Sequence, residues 1–156
     1  MIGFLGEYPV TLDAKGRFLL PAGFKKQLTG DTASQFVVNR GAEPCLTLYP
    51  KQTWDPIFSN VSMLNDFDPK VRKFRHFFLN GATQIELDSA GRLLLTKTLM
   101  EYASLEKDIL LVSAINKIEI WDVKKHKGFF DSISSAPEAY SDLANEVMNK
   151  KSEVKS

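Results

Sequence analysis

The segment LDAKGRFLLP, at residues Leu12–Pro21, is the main guide to the architecture because a close copy, LDSAGRLLLT, returns at Leu87–Thr96. Leucine, aspartate, glycine and arginine recur in register, so that Asp13 corresponds to Asp88. A single copy would indicate only a turn between two strands. Two copies in one chain predict a duplicated structural unit.

The repeat continues beyond these segments. Each copy is followed by a short helical pattern, a loop and two apolar strands. The matching segments are 22–28 and 97–105 for the helices, 36–40 and 109–113 for the next strands, and 45–50 and 117–122 for the last strands. Both halves therefore predict the order strand, turn, strand, helix, strand, turn, strand.

Each repeated segment has the pattern of a tight hairpin. Apolar and polar residues alternate up to Leu12, as in a half-buried strand. Gly16 can adopt the positive φ that a tight turn requires. The apolar run Phe18–Leu20 favours a strand that is buried on both faces. Pro21 and Thr96 then predict the start of a helix in each half.

Composition and charge limit the possible functions. The chain has 156 residues, of which 44% are hydrophobic, enough for a core in one domain or in two small intertwined ones. Neither a run of about 18 apolar residues nor a secretory signal is found, so no membrane partner is predicted. The single cysteine, Cys45, fits a cytoplasmic protein. His76 and His126 lack the spacing of metal ligands, and no metal, other cofactor or small-molecule substrate is predicted.

The net charge of +1 argues weakly against nucleic acid, but the charge is unevenly distributed. Residues 1–75 contain ten Lys or Arg against seven Asp or Glu, whereas residues 76–156 contain ten against twelve. If one half faces a polyanion, we expect it to be the first.

The residue types in the first turn suit a DNA contact. Arg17 has a planar guanidinium that fits a phosphate or the edge of guanine. Lys15 is a point charge suited to phosphate, and Gly16 allows a close approach of the backbone. Asp13 is expected to accept turn N–H groups or to hold the Arg17 guanidinium, because phosphates repel a carboxylate. A pair of such hairpins about a two-fold axis suits duplex DNA.

These segments, together with the strand CLTLYP, the stretch FFLNGA at Phe77–Ala82 and the strand KIEIWD, resemble the MraZ family of the AbrB-like swapped-hairpin superfamily. The resemblance implies an α+β, mainly β fold, in which two pseudo-symmetric swapped-hairpin halves form a barrel-like sheet with short helices. It assigns the DNA contact to Arg17 with Asp13, and to Arg92 with Asp88. Ala90 replaces the turn lysine in the second copy, which leaves that hairpin one positive charge poorer.

The function implied is a sequence-specific, DNA-binding transcriptional regulator of the division and cell-wall gene cluster. It would bind promoter repeats in double-stranded DNA as a ring-shaped homo-oligomer and associate with the nucleoid. The alternative is a ring-forming scaffold that does not contact DNA. An aspartic dyad of Asp13 and Asp88 is disfavoured because each aspartate has an arginine four residues on, and we predict no enzyme.

We expect a first half at 1–52, a helical connector at 53–80, a second half at 81–127 and a helical or disordered tail at 128–156. Within the connector, a helix at Pro69–Leu79 should bury Val71, Phe74 and Phe78. Its basic face and Arg40 are weak candidates for DNA contact. In the tail, a short helix is predicted at Glu138–Met148, followed by a disordered end.

Overall fold

A computed structural model describes residues 3–135 and 137–155, and the chain divides after Val123 into two compact units. The first unit alternates short strands and helices, and the prediction of an α+β, mainly β fold is confirmed. Its elements are β1 (Glu7–Thr11), β2 (Arg17–Leu19), α1 (Ala22–Lys25), β3 (Gln35–Arg40), β4 (Leu46–Pro50), α2 (Lys51–Ser62), α3 (Pro69–Gly81), β5 (Thr83–Glu86), β6 (Arg92–Leu94), α4 (Lys97–Tyr102), β7 (Asp108–Ser113) and β8 (Ile118–Asp122).

The two halves exchange strands. Six antiparallel strands form one sheet in the order β1-β7-β8-β4-β3-β5, and β2 pairs with β6 in a separate two-stranded ribbon. The first strand of each half, β1 or β5, therefore pairs within the other half. The repeat makes β1 equivalent to β5, β3 to β7 and β4 to β8. If every strand is replaced by its equivalent, the strand order becomes the same order read from the opposite edge of the sheet. The sheet thus has a pseudo-two-fold axis between β4 and β8.

The pairing register obeys the same symmetry. Thr11 lies opposite Asp108 where β1 meets β7, and the equivalent Glu86 lies opposite Gln35 where β5 meets β3. In the ribbon, Phe18 lies opposite Leu93, its own equivalent. The duplication therefore extends to individual residue pairs.

The core lies between the ribbon and the sheet, and both halves contribute to it. Phe18 and Leu93 are almost fully buried and belong to one apolar cluster with residues of the sheet strands. Leu19 and Leu94 point the other way and are 57% and 53% exposed. The prediction that this apolar run is buried on both faces was therefore wrong, because only one face of the ribbon is covered.

Helices α2 and α3 form a hairpin that packs on one face of the sheet, where α2 contacts β3 and β4 and α3 contacts β3. The side chain of Asp68 accepts a hydrogen bond from the Lys70 N–H at 2.9 Å and caps α3 as the sequence predicts. Trp54 stacks on Phe78 with ring centroids 5.5 Å apart. Phe74 stacks on Phe78 but remains 50% exposed, so its predicted burial was wrong.

Two residues at the end of β3 hold the C-terminal turn of α3. The side chain of Asn39 donates to the Phe78 carbonyl at 2.9 Å, and Arg40 Nη1 donates to the Phe77 carbonyl at 3.1 Å. A Cβ on Gly81 would lie 2.5 Å from Asn39 Oδ1. The stretch FFLNGA is therefore a packing signature, since its backbone must approach β3 closely.

Arg40 has further contacts that make it structural. Its guanidinium carbon lies 4.7 Å from the centre of the Phe77 ring and 5.8 Å from that of Tyr102. Its Nη1 is already used by a helix carbonyl. These contacts give Arg40 a role in joining α3 to the sheet.

The second unit consists of two helices, α5 (Val123–Ser134), whose first residue belongs to the first unit, and α6 (Pro137–Lys155). The sequence pattern predicted a helical or disordered tail at 128–156, but it did not give the bounds of α5. The last helix is longer than predicted and continues past Lys150, where a disordered end was expected; Ser156 lies outside the described residues. No helix in the described ranges combines the length and the apolar character needed to cross a membrane.

Replacement of Asn39 by alanine should lower the free energy of unfolding by about 1–3 kcal/mol, because the Phe78 carbonyl at the end of α3 and the Arg40 N–H on β3 would lose the buried side chain that binds them. Urea denaturation measures the change. The exposed Asn60 provides the matched control, and Asn60→Ala should change stability by less than about 0.5 kcal/mol. Equal effects of the two substitutions would contradict this role of Asn39.

Candidate nucleic-acid interface

The turn between β1 and β2 is organised by Asp13. Its Oδ1 accepts hydrogen bonds from the backbone N–H groups of Lys15 and Arg17, both at 2.9 Å. Its Oδ2 accepts from Arg17 Nε at 2.7 Å. Gly16 has a φ of +85°, and an added Cβ would lie 2.9 Å from the Met100 side chain. Asp13 therefore shapes the turn and aims the guanidinium, and both of the roles predicted for it are present.

The second turn has the same geometry. Asp88 Oδ1 accepts from the N–H groups of Ala90 and Arg92, and its Oδ2 accepts from Arg92 Nε, all at 2.9 Å. Gly91 has a φ of +79°. In both turns only Nε is engaged by the aspartate. Within the described residues, the terminal guanidinium nitrogens of Arg17 and Arg92 have no protein partner.

These contacts lower the pKa of both aspartates. For Asp13 the largest cause is the hydrogen bond from the Arg17 N–H, and for Asp88 it is the equivalent bond from Arg92. The ion pair with the same arginine adds to the effect. The pairing register also places the two turns at opposite ends of the ribbon. A dyad that shares a proton needs close carboxyl groups and a raised pKa, so this geometry opposes the protease alternative.

The outer face of the ribbon presents two arginines and two leucines. Arg17 lies opposite Leu94, and Arg92 lies opposite Leu19, so side chains of all four residues project from the same face. The Cα atoms of the two arginines are about 8 Å apart along this diagonal, as standard strand spacings require. Both arginines line one groove together with Thr11, which is exposed. The duplicated arginines thus come together on one surface.

Lys25 was missed at the sequence level. It is exposed at the end of α1, and a Cβ on Gly91 would collide with its ammonium group. Its repeat equivalent is Met100, which lies against Gly16 in the first turn. The first turn therefore has Lys15 on the turn itself, whereas the second turn has Lys25 from the opposite half. Lys25 therefore supplies, beside the second turn, a positive charge in place of the turn lysine that Ala90 replaces.

A signal for Lys25 was present in the repeat. The 75-residue offset that relates Asp13 to Asp88 also pairs Lys25 with Met100, so the halves differ in charge there and at Lys15 and Ala90. Only the strand exchange shows that the two differences compensate, because it brings α1 of the first half to the turn of the second.

Other candidates lie elsewhere. On α3, Arg75 pairs with Asp66, and Arg72 Nη1 donates to the Asp66 carbonyl at 2.7 Å. The side chain of Asn80 contacts the ring of His76. No group of three potential metal ligands occurs among the described residues. Cys45 is buried, and this burial raises the pKa of its thiol to about 12.

Sequence comparisons find one family. A family model described as "MraZ protein, putative antitoxin-like" matches residues 3–77 and again residues 78–145. The Transcriptional regulator MraZ of Cytophaga hutchinsonii is 45% identical over 132 residues, which cover 85% of this chain and 87% of that protein. The protein of that name from Christiangramia forsetii is 39% identical over 149 residues, with coverage of 95% and 94%. The one from Halothermothrix orenii is 38% identical over 141 residues, with coverage of 90% and 94%.

The lowered pKa of Asp13 predicts a pH-dependent contribution to stability. The ionised carboxylate stabilises the folded chain above the usual pKa of 3.8, and this contribution is lost as pH falls through the lower pKa of the folded state. Asp13→Asn should therefore be less stable than the unmodified chain above pH 3.8, and the difference should narrow at lower pH. Urea denaturation over a pH series measures it. A difference that is constant with pH would contradict the ion pair.

Proposed function

Because the chain belongs to the MraZ family, we propose that it is a transcriptional regulator that binds double-stranded DNA through the outer face of the β2–β6 ribbon. The observation that carries this proposal is the pair of arginines on that face. Each is held through Nε by its own aspartate and has terminal nitrogens available. This function is not enzymatic.

The geometry suits recognition in the major groove. A two-stranded ribbon fits a groove about 12 Å wide, and a guanidinium can donate two hydrogen bonds to O6 and N7 of guanine. Asp13 and Asp88 neutralise part of each guanidinium charge but leave the donors that would read a base edge. In this arrangement Arg17 and Arg92 contact bases, and Gly16 lets the backbone approach.

The lysines and leucines of the site would complete the contact. Lys15 and Lys25, one beside each turn, supply positive charges for phosphates on either side of the groove. Leu19 and Leu94 are exposed between the arginines, where they can contact thymine methyl groups.

The near-neutral net charge favours assembly on DNA. One ribbon carries few positive charges, so a single subunit would bind weakly. A ring of identical subunits would present several ribbons and gain affinity by avidity on promoter repeats. We assign these repeats to the division and cell-wall gene cluster, and place the protein in the cytoplasm at the nucleoid.

Arg17→Ala and Arg92→Ala should each lower affinity for the DNA upstream of the protein's own gene by about 5-fold to 150-fold, since each removes a contact worth about 1–3 kcal/mol of discrimination. Gel shifts with that DNA and with a scrambled duplex measure the loss. Arg72→Ala, on an exposed helix face, is the matched control. Unchanged binding in both ribbon variants would overturn the proposed site.

Lys15→Ala and Lys25→Ala should weaken binding to specific and scrambled DNA by similar factors, because each removes one phosphate contact. Each should reduce the slope of log affinity against log salt concentration by about 1. Lys26→Ala, the next exposed lysine, is the control and should keep the slope. If the unmodified protein assembles but shows no salt-dependent affinity for any duplex, it is a scaffold.

A further inference from the structure

We propose that α6 of one copy docks on the α2–α3 hairpin of a second copy. The contact joins an apolar and basic stripe on α3 to an apolar and acidic stripe on α6. It supplies the subunit interface that the ring in the proposed function requires. The proposal rests on two exposed surfaces of the same chain with complementary chemistry.

The first surface is the α3 stripe, formed by Lys70, Lys73, Phe74 and Phe77. Spacings of three, four and seven residues place these side chains on one face of the helix. All four residues are exposed, with Phe74 at 50% and Phe77 at 54%. The helix contains no acidic residue. Such exposed aromatic rings flanked by lysines are typical of a surface that binds a protein partner.

The surface continues beyond α3. The ring of Phe58 on α2 is 49% exposed and lies beside Trp54, with centroids 6.4 Å apart. At the tip of the hairpin, Met63 and Phe67 are 76% and 91% exposed. Part of this apolar area is continuous with the packed rings below it, because Phe74 is stacked on Phe78, which is stacked on Trp54.

The second surface is the α6 stripe, formed by Asp142, Leu143, Glu146 and Val147, with Tyr140 beside it. Leu143 and Val147 are 45% and 54% exposed, and Tyr140 is 64% exposed. Between Glu138 and Met148 the helix contains three acidic residues and no Lys or Arg; in the next turn, Lys150 Nζ lies 3.5 Å from Glu146 Oε1 in an exposed ion pair. A helix with this composition carries a negative edge next to an apolar face.

Complementarity selects a second copy as the occupant. Lysines lie beside the aromatic rings on α3, and carboxylates lie beside the aliphatic side chains on α6, so both kinds of contact can form at once. The two surfaces differ, so the contact joins unlike patches of identical subunits. With such a head-to-tail contact, an open assembly has one free α3 stripe at one end and one free α6 stripe at the other. The two ends can then bind each other and close a ring.

Charge reversal tests the contact in the full-length chain. Lys70→Glu with Lys73→Glu makes the α3 stripe acidic, and Asp142→Lys with Glu146→Lys makes the α6 stripe basic. Each double variant sets like charges against each other and should fall to the mass of one chain, 17.6 kDa, in light scattering after size exclusion. Reversal of Lys26 and Lys107, exposed lysines outside both stripes, is the matched control and should keep the assembled mass.

Mixing the two double variants is the decisive step. The acidic α3 stripe of one variant matches the basic α6 stripe of the other, and their remaining stripes also match. An equimolar mixture should therefore recover an assembly of higher mass, with the two variants in equal numbers. Docking within a single chain cannot be rescued by mixing, so a mixture that remains at 17.6 kDa would overturn the proposal.

Two further outcomes would also overturn it. One is an unmodified protein that has the mass of a single chain at all concentrations. The other is a pair of charge-reversed variants that keep the assembled mass. The mass measurements are made without DNA, so they test the subunit contact even if the proposed DNA binding is wrong. Conversely, a charge-reversed variant that no longer assembles but still binds one promoter repeat weakly would support the ribbon as the DNA-binding site.

Discussion

Strand exchange between the two halves holds the sheet and the ribbon together and positions the candidate site. Strands β1 and β5 each complete the sheet of the opposite half, and β2 and β6 have only each other. A half alone would leave backbone N–H and C=O groups unpaired along several strands. The exchange also brings Arg17 and Arg92 onto one ribbon although they are distant in sequence. Fold and candidate site thus have a common origin in the duplication.

The repeat was sufficient to predict the order of strands and helices and the residues that shape the turns. The predicted tight hairpins were wrong in one respect, because the two strands that flank each turn belong to different sheets. Asp13 and Gly16 have local roles, a carboxylate that accepts turn N–H groups and a backbone with positive φ, and local roles can be inferred from sequence. The same reasoning applies to the Asp68 cap of α3. The DNA role of the arginines remains a prediction.

The features that were missed depend on distant contacts. Leu19 is exposed because none of the described residues covers the outer face of the ribbon, whereas an apolar run by itself suggests burial on both sides. Lys25 reaches the second turn only because α1 packs across the exchanged strands. Phe74 has the spacing of a core residue on α3, yet it lies at the exposed end of a row of stacked rings. In each case sequence spacing identifies a helix or strand face but not what covers it.

Cys45 lies beside the first residue of β4, next to the β4–β8 pair. It precedes the start of β4, the strand that meets β8 at the pseudo-two-fold axis, and its thiol is buried and protonated. A thiol reagent can modify it only after the surrounding packing opens, because the reactive form is the exposed thiolate. Its labelling rate in the native protein therefore reports how often the packing around the start of β4 opens. The reaction rate of Cys45, which lies outside the proposed DNA surface, thus measures how often this part of the duplicated fold opens.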